Sequence, residues 1–256
     1  MYDKKRVHLF GVDIDLLSMT ETVQMVQQWV SASETNCKFI VTPNVDHVVK
    51  VQTDVGLQAA YKNASLIVTD GKPVVWAANF LGVNIPGTVP GSDLVPAIFD
   101  DAQLAQTPLT VFLLGAMPGV ADRAREVIHS KWPMVKVVGT LSPDFGFDKN
   151  EVDSKAICAI VNASKADLLV LGLGAPKQEI WITKYAPQLS VKVSLCVGAT
   201  IDFLAGEKPR APIWMRKVGL EWLHRMLSEP KRLAKRYLVD AVVFPKLVLS
   251  EWLARR

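Results

Sequence analysis

Short apolar runs and amphipathic stretches alternate along most of the chain. The runs are "KFIVTPN" (38–44), "SLIVTDG" (65–71), "LTVFLLGA" (109–116), "VKVVGTL" (135–141), "DLLVLGLGAP" (167–176) and "SLCVGATIDFL" (194–204). Between them, "TETVQMVQQWV", "GVADRAREVIHSKW" and "VDSKAICAIVNAS" place apolar residues near i, i+3, i+4 and i+7, the period of a helix with one buried face. Strands that are apolar throughout are buried on both sides, which predicts a parallel sheet covered by helices. The expected class is therefore α/β: a Rossmann-like, mostly parallel sheet covered by helices, over residues 1–206.

The pattern changes after Gly206. "KPRAPIWMRKVGLEWLHRMLSEPKRLAKRYLVDAVVFPKLVLSEWLARR" contains no strand candidate, and Pro209, Pro212, Pro230 and Pro245 are expected to divide it into short helices. Trp214, Leu220, Trp222, Leu223, Met226 and Leu227 are interleaved with Arg216, Lys217, Arg225, Lys231, Arg232, Lys235 and Arg236. Such a basic amphipathic appendage, residues 207–256, fits either an anionic membrane surface or a helical pair packed on the body with its basic face in water.

Composition narrows the class. Half of the 256 residues are hydrophobic and 21% are charged, as in folded globular proteins. No apolar run approaches the roughly 18 residues of a spanning helix. The basic N-terminal stretch is interrupted by Asp13 and Asp15, so no signal peptide and a cytoplasmic protein are expected. Residues 210–256 hold eleven Lys or Arg against four Asp or Glu, while 1–209 carry a net charge of −3. Only the tail is then suited to an anionic surface, and nucleic acid is not an expected partner. Cys37, Cys158 and Cys196 are odd in number and widely spaced, which predicts small buried thiols. The four histidines lack zinc-ligand spacing, so no structural metal is expected.

In a parallel α/β sheet, ligands bind beyond the carboxyl ends of the strands. Those ends read Thr42-Pro43-Asn44, Thr69-Asp70-Gly71, Gly115-Ala116, Gly172 through Glu179, and Gly198-Ala199-Thr200. Asp70 fits either a cap of the helix starting near Pro73 or a catalytic base at the sheet rim. Asp93 is a candidate first-turn acid, with Ser92 as cap. "GLGAPKQE" (172–179) closes a strand and opens a helix, so its N–H groups suit a diphosphate; the same glycines also suit a purely steric turn. Lys177 replaces the last glycine of a dinucleotide fingerprint, which disfavours a nicotinamide-dependent oxidoreductase. "VDID" (12–15) has the D-x-D form of a metal–nucleotide site, but its place before the first helix favours strand and turn chemistry.

Taken in order, "VTPNVDHVVKV", "ASLIVTDGKPVVWAA", "VPGSDLV", "VFLLGAMPGVADRA", "LLVLGLGAPKQEIWI" and "CVGATIDFLAGEKPRAPIWMRKVGLEWLHRMLSEPKRLAKRYL" resemble the WecG/TagA/CpsF family of bacterial glycosyltransferases over nearly the whole chain. The resemblance implies an inverting, metal-independent transferase without a cofactor. The donor would be UDP-N-acetylmannosamine, its uronic acid or a related UDP-sugar, and the acceptor an undecaprenyl-diphosphate-linked sugar of a cell-surface polysaccharide. It implies Asp70 as base, Thr42 and Asn44 at the rim, and Gln178 as the polar residue of the "PKQE" turn. It also implies a membrane-docking tail, hence a peripheral protein on the inner face of the cell membrane, with a homo-oligomer possible.

The departing diphosphate gains charge, which without a metal requires N–H groups or cations. The available donors are the turn from Gly172 to Lys177 and the tail cations Arg210, Arg216 and Arg225. Further substrate-binding candidates are Gly174 and Pro176 within the turn, Gly115 and Ala116 at the middle strand, Gly71 and Lys72 beside Asp70, and Thr88 and Asp93. Two departures from the family pattern stand out. Thr88 replaces an expected arginine, and "DFGF" (144–147) replaces "GYF". They motivate an alternative: a catalytically impaired member that binds nucleotide sugars or assembles partners at the membrane.

Overall fold

The computed structural model describes residues 5–33 and 36–255. The start of the basic N-terminal stretch (1–4) and Arg256 of the basic tail lie outside them. A two-stranded antiparallel hairpin, β1 (Arg6–Leu9) and β2 (Val12–Asp15), precedes α1 (Met19–Ser31). Ser18 and Glu21 close a reciprocal capping box at the start of α1. The "VDID" acids belong to this hairpin. Asp15 pairs with Arg6 at 2.7 Å and accepts from the amide of Ile67, while Asp13 bonds His8.

Then follow β3 (Lys38–Val41), α2 (Val45–Val51), α3 (Val55–Asn63), β4 (Leu66–Ile67), α4 (Lys72–Phe80), α5 (Gly91–Leu104), β5 (Leu109–Gly115), α6 (Val120–Lys131) and β6 (Val135–Leu141). The body closes with α7 (Glu151–Ala163), β7 (Leu168–Gly172), α8 (Lys177–Tyr185), β8 (Val193–Cys196) and α9 (Thr200–Leu204). Six strands form one parallel sheet in the order β4-β3-β8-β7-β5-β6.

The unbroken apolar strands face two cores. On β7, Leu169 and Leu171 join one core while Leu168 and Val170 join the other. Helices α1, α5, α6 and α9 cover the second face; α2, α3, α4, α7 and α8 cover the first. The expected parallel α/β sheet is thus present, with shorter strands than the apolar runs. "SLIVTDG" contributes only a two-residue ladder, at the edge of the sheet beside β3. "SLCVGATIDFL" leaves the sheet at Cys196 and turns helical at Thr200.

The tail forms α10 (Ile213–Lys217), α11 (Glu221–Ser228) and α12 (Pro230–Ala254). Pro230 opens α12, but Pro245 lies inside this 25-residue helix rather than ending it. The lost amide bond there is offset by packing: next to Pro245, Phe244 is buried against Phe10 at 5.5 Å between ring centroids. Glu251 accepts from the Phe10 amide, and Arg236 approaches Asp46 of α2 at 3.7 Å. One face of α12 is therefore packed on the body. Other apolar residues of the tail, including Ile213, Trp214, Leu227 and Leu238, are exposed. Among the described residues, no helix is long and apolar enough to cross a membrane.

Candidate active site

Where the chain passes from β4 to β5 it crosses to the far side of the sheet, leaving β8 and β7 to fill the middle. The carboxyl ends of β3, β4, β7 and β8 surround a cavity of about 530 Å³, roofed by α11 and α12. This is the crevice that an open α/β sheet offers to ligands.

Asp70 stands three residues past β4. Its amide donates to the carbonyl of Pro43 at 2.8 Å, which fixes the acid beside the β3 rim. Gly71 follows with φ +93°, a backbone state that favours glycine, and serves as N-cap of α4 without a side-chain capping bond. Asp70 is therefore not spent as a helix cap. Its carboxyl is pushed up to about 7, chiefly by burial; Arg225 opposes the shift, Glu221 and Asp93 add to it, and Arg210 opposes it. A carboxyl of this kind can exchange a proton near neutrality.

The neighbouring rim is held by its own hydrogen bonds. Thr42 donates to the Cys196 carbonyl at 3.4 Å, joining β3 to β8. Asn44 caps α2 by accepting from the His47 amide. The Val89 amide donates to the Thr69 carbonyl at 2.7 Å, which seats Thr88 in the cavity wall. Gly91 opens α5 directly against Val197, where a Cβ would approach within 2.7 Å. The cap of α5 is Pro90, not Ser92 as expected from sequence, because the helix begins two residues earlier, at Gly91. Ser92 instead accepts from Arg210 through both its carbonyl and its hydroxyl.

Asp93 binds two arginines of the tail, Arg210 at 2.7 Å and Arg216 at 3.4 Å. Arg225 and Arg210 both lie over the Phe203 ring, at 5.3 and 5.7 Å. Arg216 and Arg225 line the cavity; Arg210 stands behind it as a brace. Lys72 also lines the cavity, but its ammonium donates to the Lys217 carbonyl, tying α4 to α10.

The glycine-rich turn divides. Gly174 and Gln178 reach the cavity. Gln178 is almost fully buried, and both ends of its amide are used: Oε1 accepts from Gly174 and Gly198, and Nε2 donates to Glu179 at 2.7 Å. Gly172, Pro176 and Lys177 do not line the cavity, and Lys177 faces Asp148 at 3.6 Å. Nor do Gly115 and Ala116. Gly115 instead allows β5 to approach β7, since a Cβ there would lie 2.6 Å from the Gly172 backbone.

Buried polar groups at the wall, His47 and Asp240, and behind it, Tyr61 and Glu179, were not singled out from sequence. His47 bonds Tyr61 at 2.7 Å, and burial pushes the imidazole down and the phenol up. Glu179, fully buried, leaves Oε2 without a hydrogen bond among the described residues. Asp240 of α12 is buried and pushed up to about 6, first by burial and then by Asp46, against Arg236 and Lys50. The "PNVDH" acid and imidazole were in view, but only long-range folding brings them to one wall with Asp240 of α12.

The family model for the glycosyl transferase WecG/TagA/CpsF family matches residues 7–256. Similar proteins include the N-acetylglucosaminyldiphosphoundecaprenol N-acetyl-beta-D-mannosaminyltransferases of Staphylococcus aureus strains MRSA252 and MW2. Each is 30% identical over 230 residues, which cover 90% of this chain and 87% of the relative. The α/β sheet with its rim cavity is thus that of a glycosyltransferase. The chain belongs to the WecG/TagA/CpsF family.

Proposed function

We propose that the protein is an inverting, UDP-sugar-dependent transferase that extends a sugar carried on a polyprenyl diphosphate. The observation that carries this reading is Asp70, a cavity-lining carboxyl with a pKa of about 7 beside the guanidinium of Arg225. The names of the staphylococcal relatives supply the acceptor class, an N-acetylglucosaminyl diphosphoundecaprenol, and the sugar moved, N-acetylmannosamine.

In this mechanism the acceptor hydroxyl attacks the anomeric carbon while the bond from that carbon to the UDP oxygen breaks on the opposite face. The hydroxyl proton passes to the Asp70 carboxylate as the new C–O bond forms. The leaving UDP keeps the bonding electron pair, and Arg225 and Arg216, which line the cavity, are the donors closest to hand. Thr88 removes one family cation, yet Arg216 and Arg225 line the same cavity, which favours an active enzyme over an impaired one. The exposed Ile213, Trp214 and Leu227, interleaved with basic residues, support peripheral docking on an anionic membrane.

The test is UDP release with a panel of UDP-sugars and a lipid-linked N-acetylglucosaminyl diphosphate. Turnover with inversion at the anomeric carbon supports the reading. Binding of UDP-sugar without turnover on any lipid-linked acceptor returns the protein to the assembly role.

A further inference from the structure

A second concavity adjoins the first. Phe80, Pro245, Val248, Leu249 and Trp252 line an apolar groove of about 330 Å³, and Pro245 lines the catalytic cavity as well. Two helices run from one to the other. On α4, Lys72, Trp76 and Phe80 share a face at i, i+4 and i+8; Lys72 lines the cavity and Phe80 the groove. On α12, Tyr237, Ala241 and Pro245 line the cavity, and Pro245, Val248 and Trp252 continue the same stripe into the groove. At 1.5 Å per residue, the groove portion from Pro245 to Trp252 is about 10 Å long.

The chemistry changes sharply along this path. The cavity end holds Arg216, Arg225, Arg232 and Arg236, whereas the groove is built from aromatic and aliphatic side chains, with Phe80 and Leu249 more than half exposed. A cationic chamber bordered at Pro245 by an apolar groove complements one kind of molecule: an anionic head on a hydrocarbon chain. We infer that the groove between α4 and α12 receives the first isoprene units of a polyprenyl diphosphate whose head group lies in the cavity. This rests on the acceptor class proposed above and adds where its chain leaves the protein. The exposed Ile213, Trp214 and Leu227 of the tail, which suit a bilayer, lie outside this groove, whereas the groove meets the cavity at Pro245.

The test compares dimethylallyl diphosphate with geranylgeranyl diphosphate, both below their aggregation concentrations, by calorimetry on the full chain. The longer chain is expected to bind about tenfold tighter or better, from burial of extra apolar surface. Phe80→Gln and Leu249→Gln should each abolish most of that gain and leave the short-chain affinity unchanged. Leu227→Gln, at an exposed α11 position outside both cavity and groove, should retain it. Equal affinity for the two chains, a gain that survives both groove substitutions, or an equal loss in Leu227→Gln overturns the assignment. Turnover of N-acetylglucosaminyl diphosphates bearing the same two chains separates the failures. Equal KM values for both acceptors overturn the groove and leave the transferase standing. A chain-length gain in binding with turnover of neither acceptor leaves the groove standing and removes the acceptor.

Discussion

Arg210 Nη1 lies 2.7 Å from Asp93 Oδ1, so the start of the basic tail is bound to the first turn of α5. Arg216 shares the same oxygen at 3.4 Å. One carboxylate thus holds two tail cations beside the cavity that contains Asp70. Asp93→Asn should loosen this attachment, raising the donor KM several-fold while costing only about 1 kcal/mol of stability, because the groups are partly solvated. Steady-state kinetics beside urea denaturation checks it. An unchanged KM would mean that Arg216 holds its place without Asp93.

Gln178 is a clamp in this geometry, with its amide bonded to Gly174, Gly198 and Glu179. Gln178→Ala would leave two turn amides and a buried carboxylate short of partners, a cost of about 2–3 kcal/mol. Urea titration should show that loss together with reduced turnover. Lost turnover at unchanged stability would instead mark the amide as a group acting on substrate.

Gly115 makes a separate, steric prediction. Its φ of +123° and the 2.6 Å gap to the Gly172 backbone leave no room for a methyl group. Gly115→Ala should destabilise the fold by about 2–3 kcal/mol or more, while Gly146→Ala, with open space at φ +92°, should cost about 1 kcal/mol. Equal costs in denaturation would show that strand approach is not the constraint.

The pKa of Asp70 predicts opposite pH effects on activity and stability. As a base it must be deprotonated, so kcat/KM should rise about tenfold per pH unit below pH 7 and level off above it. For stability, the carboxyl's native value lies above its ordinary 3.8, so the folded state binds the proton more tightly. The contribution of Asp70 to stability therefore falls as pH rises from about 4 to 7. Asp70→Asn, which carries no charge, should be more stable than wild type at pH 8, with the difference fading toward pH 4. Denaturation curves at both pH values check this.

The sheet was legible in the sequence because burial on both faces writes itself as continuous runs such as "LTVFLLG" and "LLVLG". The rim acids were legible for a related reason: Asp70 follows directly where an apolar run stops. Strand order was not, since β8 lies beside β3 across some 150 residues of chain. Pro245 misled because a proline reads as a stop, whereas tertiary packing of Phe244 on Phe10 carries α12 through it. Lys72 looked like a phosphate ligand at its position two residues past Asp70, but its ammonium is bound to the Lys217 carbonyl, a contact spanning 145 residues. The far wall of the cavity, from Arg236 to Pro245, was hidden for the same reason of sequence distance.

The most direct test is the turnover of Asp70→Asn with UDP-N-acetylmannosamine and a lipid-linked N-acetylglucosaminyl diphosphate, measured above pH 7. The substitution keeps size and hydrogen bonding but removes the proton acceptor, so kcat should fall by about a hundredfold or more with donor affinity kept. A variant that turns over at the wild-type rate would contradict Asp70 as the base.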